Sequence, residues 1–118
     1  MVSRVPGVFH NAKSVQNVPA GTVLFDEGSE GSEMYGVIEG EIELRTSDGK
    51  VFMVGPNETF GEMALIDHSA RMASAVATAD TKLAVIDQGM FLFLIHETPT
   101  FALQVMRTLT DRLRAALD

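Results

Sequence analysis

Phe60-Gly61-Glu62-Met63-Ala64-Leu65-Ile66-Asp67-His68-Ser69-Ala70-Arg71-Met72-Ala73-Ser74 is the stretch on which the reading of this chain turns. Gly61 and Glu62 stand at the start of a short helical turn, and a single arginine, Arg71, follows nine residues after Glu62 among small side chains. Backbone N–H groups at the helix start and around Arg71 can converge on an anion. Arg71 supplies a charge-assisted bidentate contact, while Ala70 and Ala73 let a ligand approach the backbone closely. Glu62 does not belong beside an anion for its own sake, because a carboxylate repels it. An ionised carboxylate does accept hydrogen bonds from ribose hydroxyls, so a glutamate for ribose beside an arginine for phosphate forms the polar half of a nucleotide site. In isolation Arg71 would read as a structural arginine paired with Glu62 or another acid, since charges are seldom buried unpaired. The complete motif reverses that reading.

Outward from this stretch, Ser14 to Asp87 reads as short β-strands punctuated by Gly, Pro and Asp turn signals at the spacing of a sandwich or barrel. Pro19-Ala20-Gly21, Asp26-Glu27-Gly28, Glu39-Gly40, Asp48-Gly49 and Gly55-Pro56-Asn57 separate runs such as Thr22–Phe25, Tyr35–Ile38, Glu41–Thr46 and Val51–Val54. Asp48-Gly49 is the strongest hairpin signal. A two-residue loop there would put Val51 and Met53 on the face of Ile42, Leu44 and Thr46, whereas a three-residue loop would put Phe52 and Val54 there. After Asp87 the period changes. Gln88 to His96 is densely apolar with Asp87 as N-cap, and a second helix starts at Thr98-Pro99, a cap residue followed by proline in the first turn. In it Ala102, Val105, Met106, Leu109, Leu113 and Ala116 form one apolar stripe, expected to pack on the domain's own sheet in preference to a dimer seam, while Arg107, Asp111, Arg112 and Arg114 lie off it.

Composition narrows the function. The 118 residues fit one domain, 1–118, with a β-roll over about 14–87 and helices over about 88–97 and 99–117. Nine Lys+Arg against 16 Asp+Glu leave a net charge of −7, which disfavours direct contact with nucleic acid or an anionic membrane. Acidic residues outnumber Arg45 and Lys50 between Asp26 and Glu62, so most of those carboxylates form a solvated face. Absence of cysteine removes disulfides, thiolate zinc sites and cysteine nucleophiles. Met1 to Lys13 carries Pro6, His10 and Asn11 where a signal peptide's apolar core would run, which makes the cytoplasm the expected location. His10, His68 and His96 lack metal-ligand spacing, and no catalytic triad or carboxylate pair can be argued, so neither a metal nor an enzyme activity is expected. The seven methionines and seven phenylalanines read as core filling.

The segment from Phe60 to Ser74 resembles the phosphate-binding cassette of the cyclic-nucleotide-binding domain family, whose motif runs F-G-E-[LM]-A-L and then R-[AST]-A-[TS]. Relatives of that family include catabolite-activator transcription factors, kinase regulatory subunits and nucleotide-gated channels. The resemblance implies a mainly β fold with C-terminal α: an antiparallel eight-stranded, jelly-roll-like β-roll with a short cassette helix and two C-terminal helices. It implies a ligand site of Gly61, Glu62, Met63, Ala64, Arg71, Met72 and Ala73, with Thr46, Phe52, Ser74 and Arg112 further out. Glu62 would accept the ribose 2′-hydroxyl, Arg71 would pair with the cyclic phosphate, and N–H groups of Gly61, Ala64 and Met72 would complete the cradle. The same resemblance places Phe52 and Val54 inside, as the three-residue loop would, puts Thr46 and Phe52 near the base, and brings Arg112 to where some relatives cap the purine.

Two departures from the motif stand out. Met72 replaces the usual Ser, Thr or Ala and removes a hydroxyl that could touch phosphate or a guanine amino group, so cAMP is expected in preference to cGMP. Ala70 stands where proline is common. The expected function is a regulatory sensor of a cyclic nucleotide that needs no cofactor and signals to a separate effector by moving its C-terminal helices. The alternative is a degenerate domain of the same fold that serves as a protein-interaction module. The length suffices for such a sensor and leaves nothing over for an output domain.

Overall fold

The structure is a computed structural model, and it describes Phe9 and residues 14–117. The expectations placed on Met1 to Asn11 other than Phe9, His10 included, lie outside the described residues. Eight strands are observed: β1 (Val15–Val18), β2 (Val23–Phe25), β3 (Met34–Glu39), β4 (Ile42–Arg45), β5 (Val51–Val54), β6 (Thr59–Phe60), β7 (Ser74–Ala77) and β8 (Thr81–Ile86). They form two four-stranded sheets, ordered β1-β8-β3-β6 and β2-β7-β4-β5, with every pairing antiparallel. Helices α1 (Glu62–Asp67), α2 (Gln88–Glu97) and α3 (Thr100–Leu117) complete the fold. The chain is thus mainly β, an eight-stranded roll with helices after it, as the turn pattern and the motif led one to expect.

Strand alternation sorts the apolar residues into two cores. On β3 and β8, Tyr35, Val37 and Leu83 point into the roll, where they meet Val18, Ile42, Leu44, Val54, Phe60, Ala75 and Ala77. Their neighbours Met34, Ala84 and Ile86 point the other way and pack with Phe9, Leu65, Phe101 and Val105, flanked by Met90, Phe91, Leu94 and Ile95. These two strands are covered on both faces, so they read as apolar runs without a polar side.

The β4–β5 hairpin settles the register. Ile42 pairs with Val54 and Leu44 with Phe52, and Thr46 N–H donates to Lys50 C=O at 2.9 Å, which leaves Ser47, Asp48 and Gly49 as a three-residue loop. Gly49 takes φ +91° there, the left-handed conformation that closes such a loop. Phe52 and Val54 therefore share the inner face with Ile42 and Leu44.

Asp87 caps α2 as expected, its Oδ1 accepting the Met90 N–H at 2.8 Å. Helix α3 begins one residue beyond Pro99 and departs from expectation in what it buries. Phe101, Gln104 and Val105 are the buried positions, whereas Met106 and Leu113, assigned to the sheet-packing stripe, are 60% and 59% exposed. Only the first half of α3 lies on the sheet. There Gln104 Nε2 donates to Asn57 C=O at 2.7 Å, fastening the helix to the turn before β6. In the second half Leu109 packs against the outer core, and it, Leu113 and Ala116 line a cavity instead of lying on the sheet.

A candidate nucleotide site between the cassette, the hairpin and the last helix

A cavity of about 730 Å³ opens between α1, the β4–β5 hairpin and the second half of α3. Gly61, Glu62, Met63, Ala64, Arg71, Met72, Ala73, Thr46, Phe52 and Arg112 all line it, so ten of the eleven positions singled out in the sequence are brought together. Ser74 is the exception. It lies one residue beyond Ala73 on a strand, where faces alternate, and its Oγ accepts the Glu27 N–H at 2.9 Å.

Arg71 is held at the cavity wall by groups far from it in sequence. Its Nη1 donates to Glu33 C=O at 2.8 Å and to Gly61 C=O at 3.2 Å, and its Cζ lies 4.2 Å above the centre of the Phe25 ring. Phe25 is itself stacked with Tyr35 and packed against Phe60. Gly31 forms the other wall: a β-carbon there would sit 2.4 Å from Nη2 and 2.6 Å from both Cζ and Nε. The residue is 6% exposed, and burial lowers its pKa from the ordinary arginine value, against the favourable fields of Tyr35, Glu33 and Glu62. No ion pair engages it among the described residues, and its buried Nε has no hydrogen-bond partner. The structural alternative, a salt bridge between Arg71 and Glu62, is therefore not what the fold builds.

Glu62, 2% exposed, opens α1, and Gly61 before it adopts φ +79° with no side-chain cap on the helix. The first-turn N–H groups of α1 are thus left to another acceptor. The Glu62 carboxylate receives Thr59 Oγ1 at 2.7 Å on Oε1 and Arg112 Nη1 at 3.2 Å on Oε1 and 2.9 Å on Oε2. Arg112 Nη2 also donates to Thr59 C=O at 2.7 Å. Arg112 lines the cavity and is the ion-pair partner of Glu62. Lys50 adds a second tie between α3 and the roll, its Nζ donating to Ala116 C=O at 3.0 Å.

Sequence reasoning missed Phe25, Gly31 and the Glu33 carbonyl around Arg71, Thr59 beside Glu62, and Lys50. Thr59, three residues from Glu62, had a local signal; the others depend on chain crossings that no spacing reveals. Apolar side chains make up the rest of the cavity, including Leu44, Ile66, Leu109 and Leu113. A few convergent polar groups on an apolar wall are the ordinary composition of a small-molecule site.

A family model described as the cyclic nucleotide-binding domain matches residues 15–98. The chain belongs to the cyclic nucleotide-binding domain family. It is 39% identical over 103 residues to the cyclic AMP receptor protein of Thermus thermophilus, covering 83% of this chain and 48% of that one. Among solved structures, one from work on a cyclic-GMP-dependent signalling pathway in bacterial phytopathogenesis is 27% identical with a TM-score of 0.81, covering 97% of this chain and 98% of that one. The cAMP-bound form of the EAL enzyme Bd1971 is 32% identical with a TM-score of 0.63, covering 89% of this chain and 30% of that one. This chain spans about half the length of the receptor protein, 48%. Among the described residues no helix is long and apolar enough to cross a membrane.

Proposed function

We propose that this chain binds cAMP in preference to cGMP, as a regulatory sensor without catalytic activity of its own. The observation that carries the nucleotide reading is Arg71: a buried arginine on the cavity wall that, among the described residues, has no acid in an ion pair with it and no partner for its Nε, facing the same cavity as Glu62. A cyclic phosphate is the counter-charge that this arrangement lacks, and the uncapped first turn of α1 offers it N–H donors. Glu62 is the acceptor for a ribose hydroxyl. The apolar wall of Phe25, Leu44 and Phe52 suits the purine. Met72 bears no hydroxyl for a guanine amino group, which favours adenine, and the relatives include both a cyclic AMP receptor and a protein of a cyclic-GMP pathway.

Signalling follows from the division of α3. Its first half is anchored by Phe101, Gln104 and Val105, whereas its second half contributes Leu109, Arg112, Leu113 and Ala116 to the cavity rim. Ligand that binds one placement of that rim better than another shifts the population of helix positions. The reading includes an effector protein as the receiver of this movement and the cytoplasm as its setting; a net charge of −7 argues against nucleic acid as a direct partner of these residues.

Calorimetric titration of the purified chain with cAMP and cGMP tests the proposal. Binding of cAMP tighter than cGMP is expected, with Arg71→Ala weakening it by a few kcal/mol, about the cost of breaking a buried charge pair. No heat and no thermal shift with either nucleotide at millimolar concentration would replace the sensor with a non-binding interaction module. Tighter binding of cGMP would overturn the adenine preference alone.

A further inference from the structure

Phe25, the last residue of β2, packs where strand alternation would not put it. Leu24 and Phe25 are consecutive, yet both lie against the inner core of the roll. The β2–β7 ladder accounts for this: Val23 pairs with Val76 and Phe25 with Ala75, so β2 advances two residues while β7 advances one. A bulge of that kind re-aims a side chain at the end of its strand. The ring is then fixed by its neighbours, stacked with Tyr35 at 6.2 Å between centroids and tilted against Phe60 at 6.1 Å. Over its face, at 4.2 Å from the centre, stands the Arg71 Cζ.

We propose that Phe25 is a positioning residue for the anion site: its ring holds the Arg71 guanidinium in place before ligand arrives, without neutralising it. The inference rests on the nucleotide reading of the cavity. A long arginine side chain loses rotamer freedom when it grips an anion, so holding it in place beforehand strengthens binding. An acid could hold it too, but would cancel its charge and compete with a phosphate. The ring attracts the cation through its quadrupole and takes up none of its N–H donors. The carbonyls of Glu33 and Gly61 complete the grip at Nη1, again without net charge, and among the described residues no acid is in an ion pair with Arg71. Phe25 also lines the cavity, but its effect on binding passes through Arg71. It therefore falls equally on nucleotides that share a cyclic phosphate and differ in base.

Phe25→Leu and Phe25→Met remove the ring and keep apolar bulk, whereas Phe25→Tyr keeps the ring. Calorimetric titration of the full chain is expected to show roughly tenfold weaker binding of both cAMP and cGMP by the two ringless variants, and near-wild-type binding by Phe25→Tyr. Val37→Ala, a change in the buried core at a position that does not line the cavity, is expected to lower stability in urea without weakening binding. In the ligand-free protein the Arg71 Nε–H proton is expected to resonate upfield, and to move downfield in the ringless variants as the ring current is lost. Unchanged affinity in both ringless variants, while wild type binds, overturns the positioning role and leaves the sensor reading intact. A loss that falls on one nucleotide more than the other assigns the ring to the base and overturns it too. A loss shared by Phe25→Tyr or Val37→Ala, or an Arg71 signal that does not move, also overturns it. No binding by wild type overturns the sensor reading and the role of Phe25 with it.

Discussion

Replacing Gly31 by alanine would place a methyl carbon 2.4 Å from Arg71 Nη2 and 2.6 Å from Cζ and Nε. To relax that approach to an ordinary contact of ~3.5 Å, the guanidinium must retreat by about 1 Å. Its two backbone hydrogen bonds, 2.8 Å to Glu33 C=O and 3.2 Å to Gly61 C=O, do not survive such a shift, and the 4.2 Å stacking over Phe25 is disturbed with them. Each hydrogen bond from a charged donor contributes about 1.5–3 kcal/mol and the aromatic contact about 1 kcal/mol. Because the displaced guanidinium can recover water in the cavity, the expected net loss of stability is about 2 kcal/mol. Urea unfolding of wild type, Gly31→Ala, Arg71→Ala and the double variant measures it as a cycle. If the methyl acts through Arg71, Gly31→Ala costs much less in the Arg71→Ala background, since there is then nothing to collide with. An equal cost in both backgrounds would refute the reasoning and assign the effect to the Gly31 backbone. The same displacement misplaces the phosphate ligand, so cAMP affinity in Gly31→Ala is expected to fall by roughly tenfold.

Asp87→Ala removes the acceptor for Met90 N–H at the start of α2 and is expected to cost about 1 kcal/mol in urea unfolding. Cyclic nucleotide affinity should be unaffected, because no residue of α2 lines the cavity. Asp67, at the end of α1, is held below the ordinary carboxylate pKa by hydrogen bonds from the Ser69 hydroxyl and N–H. A carboxyl lowered in the folded state adds stability that is present above its unfolded pKa and is lost as pH falls through the folded value. Ser69→Ala is therefore expected to raise the Asp67 pKa, read by carboxyl NMR titration, and to diminish the acid-side loss of stability. An unshifted titration would remove Ser69 as the cause.

Features carried by neighbouring residues were legible before any coordinates. Turn signals delimited the strands, Asp87 and Thr98-Pro99 delimited the helices, and the hairpin loop was narrowed to two lengths by Asp48-Gly49. These depend on backbone dihedrals and on hydrogen bonds spanning three or four residues, which local chemistry sets. The cassette was legible for the same reason: Gly61, Glu62 and Arg71 lie within one short segment. The face that α3 buries was not. Its stripe was read as packing on the sheet throughout, yet Met106 is 60% exposed and Leu113 and Ala116 line the cavity, and a period of 3.6 says which residues share a face without saying what lies opposite.

By itself, then, the sequence determined a β-roll followed by two helices, and within it a segment with the charges of a nucleotide site. The tertiary structure decided how those charges are used. Arg71 is braced by Phe25, Gly31 and the Glu33 carbonyl, some 40 residues away along the chain. Glu62, which a local reading would have paired with Arg71, is taken by Arg112 from the far end of the molecule. Charge pairing is governed by distance and desolvation in the folded chain, and residues 50 apart acquire a distance only when the strands and helices between them have been laid down.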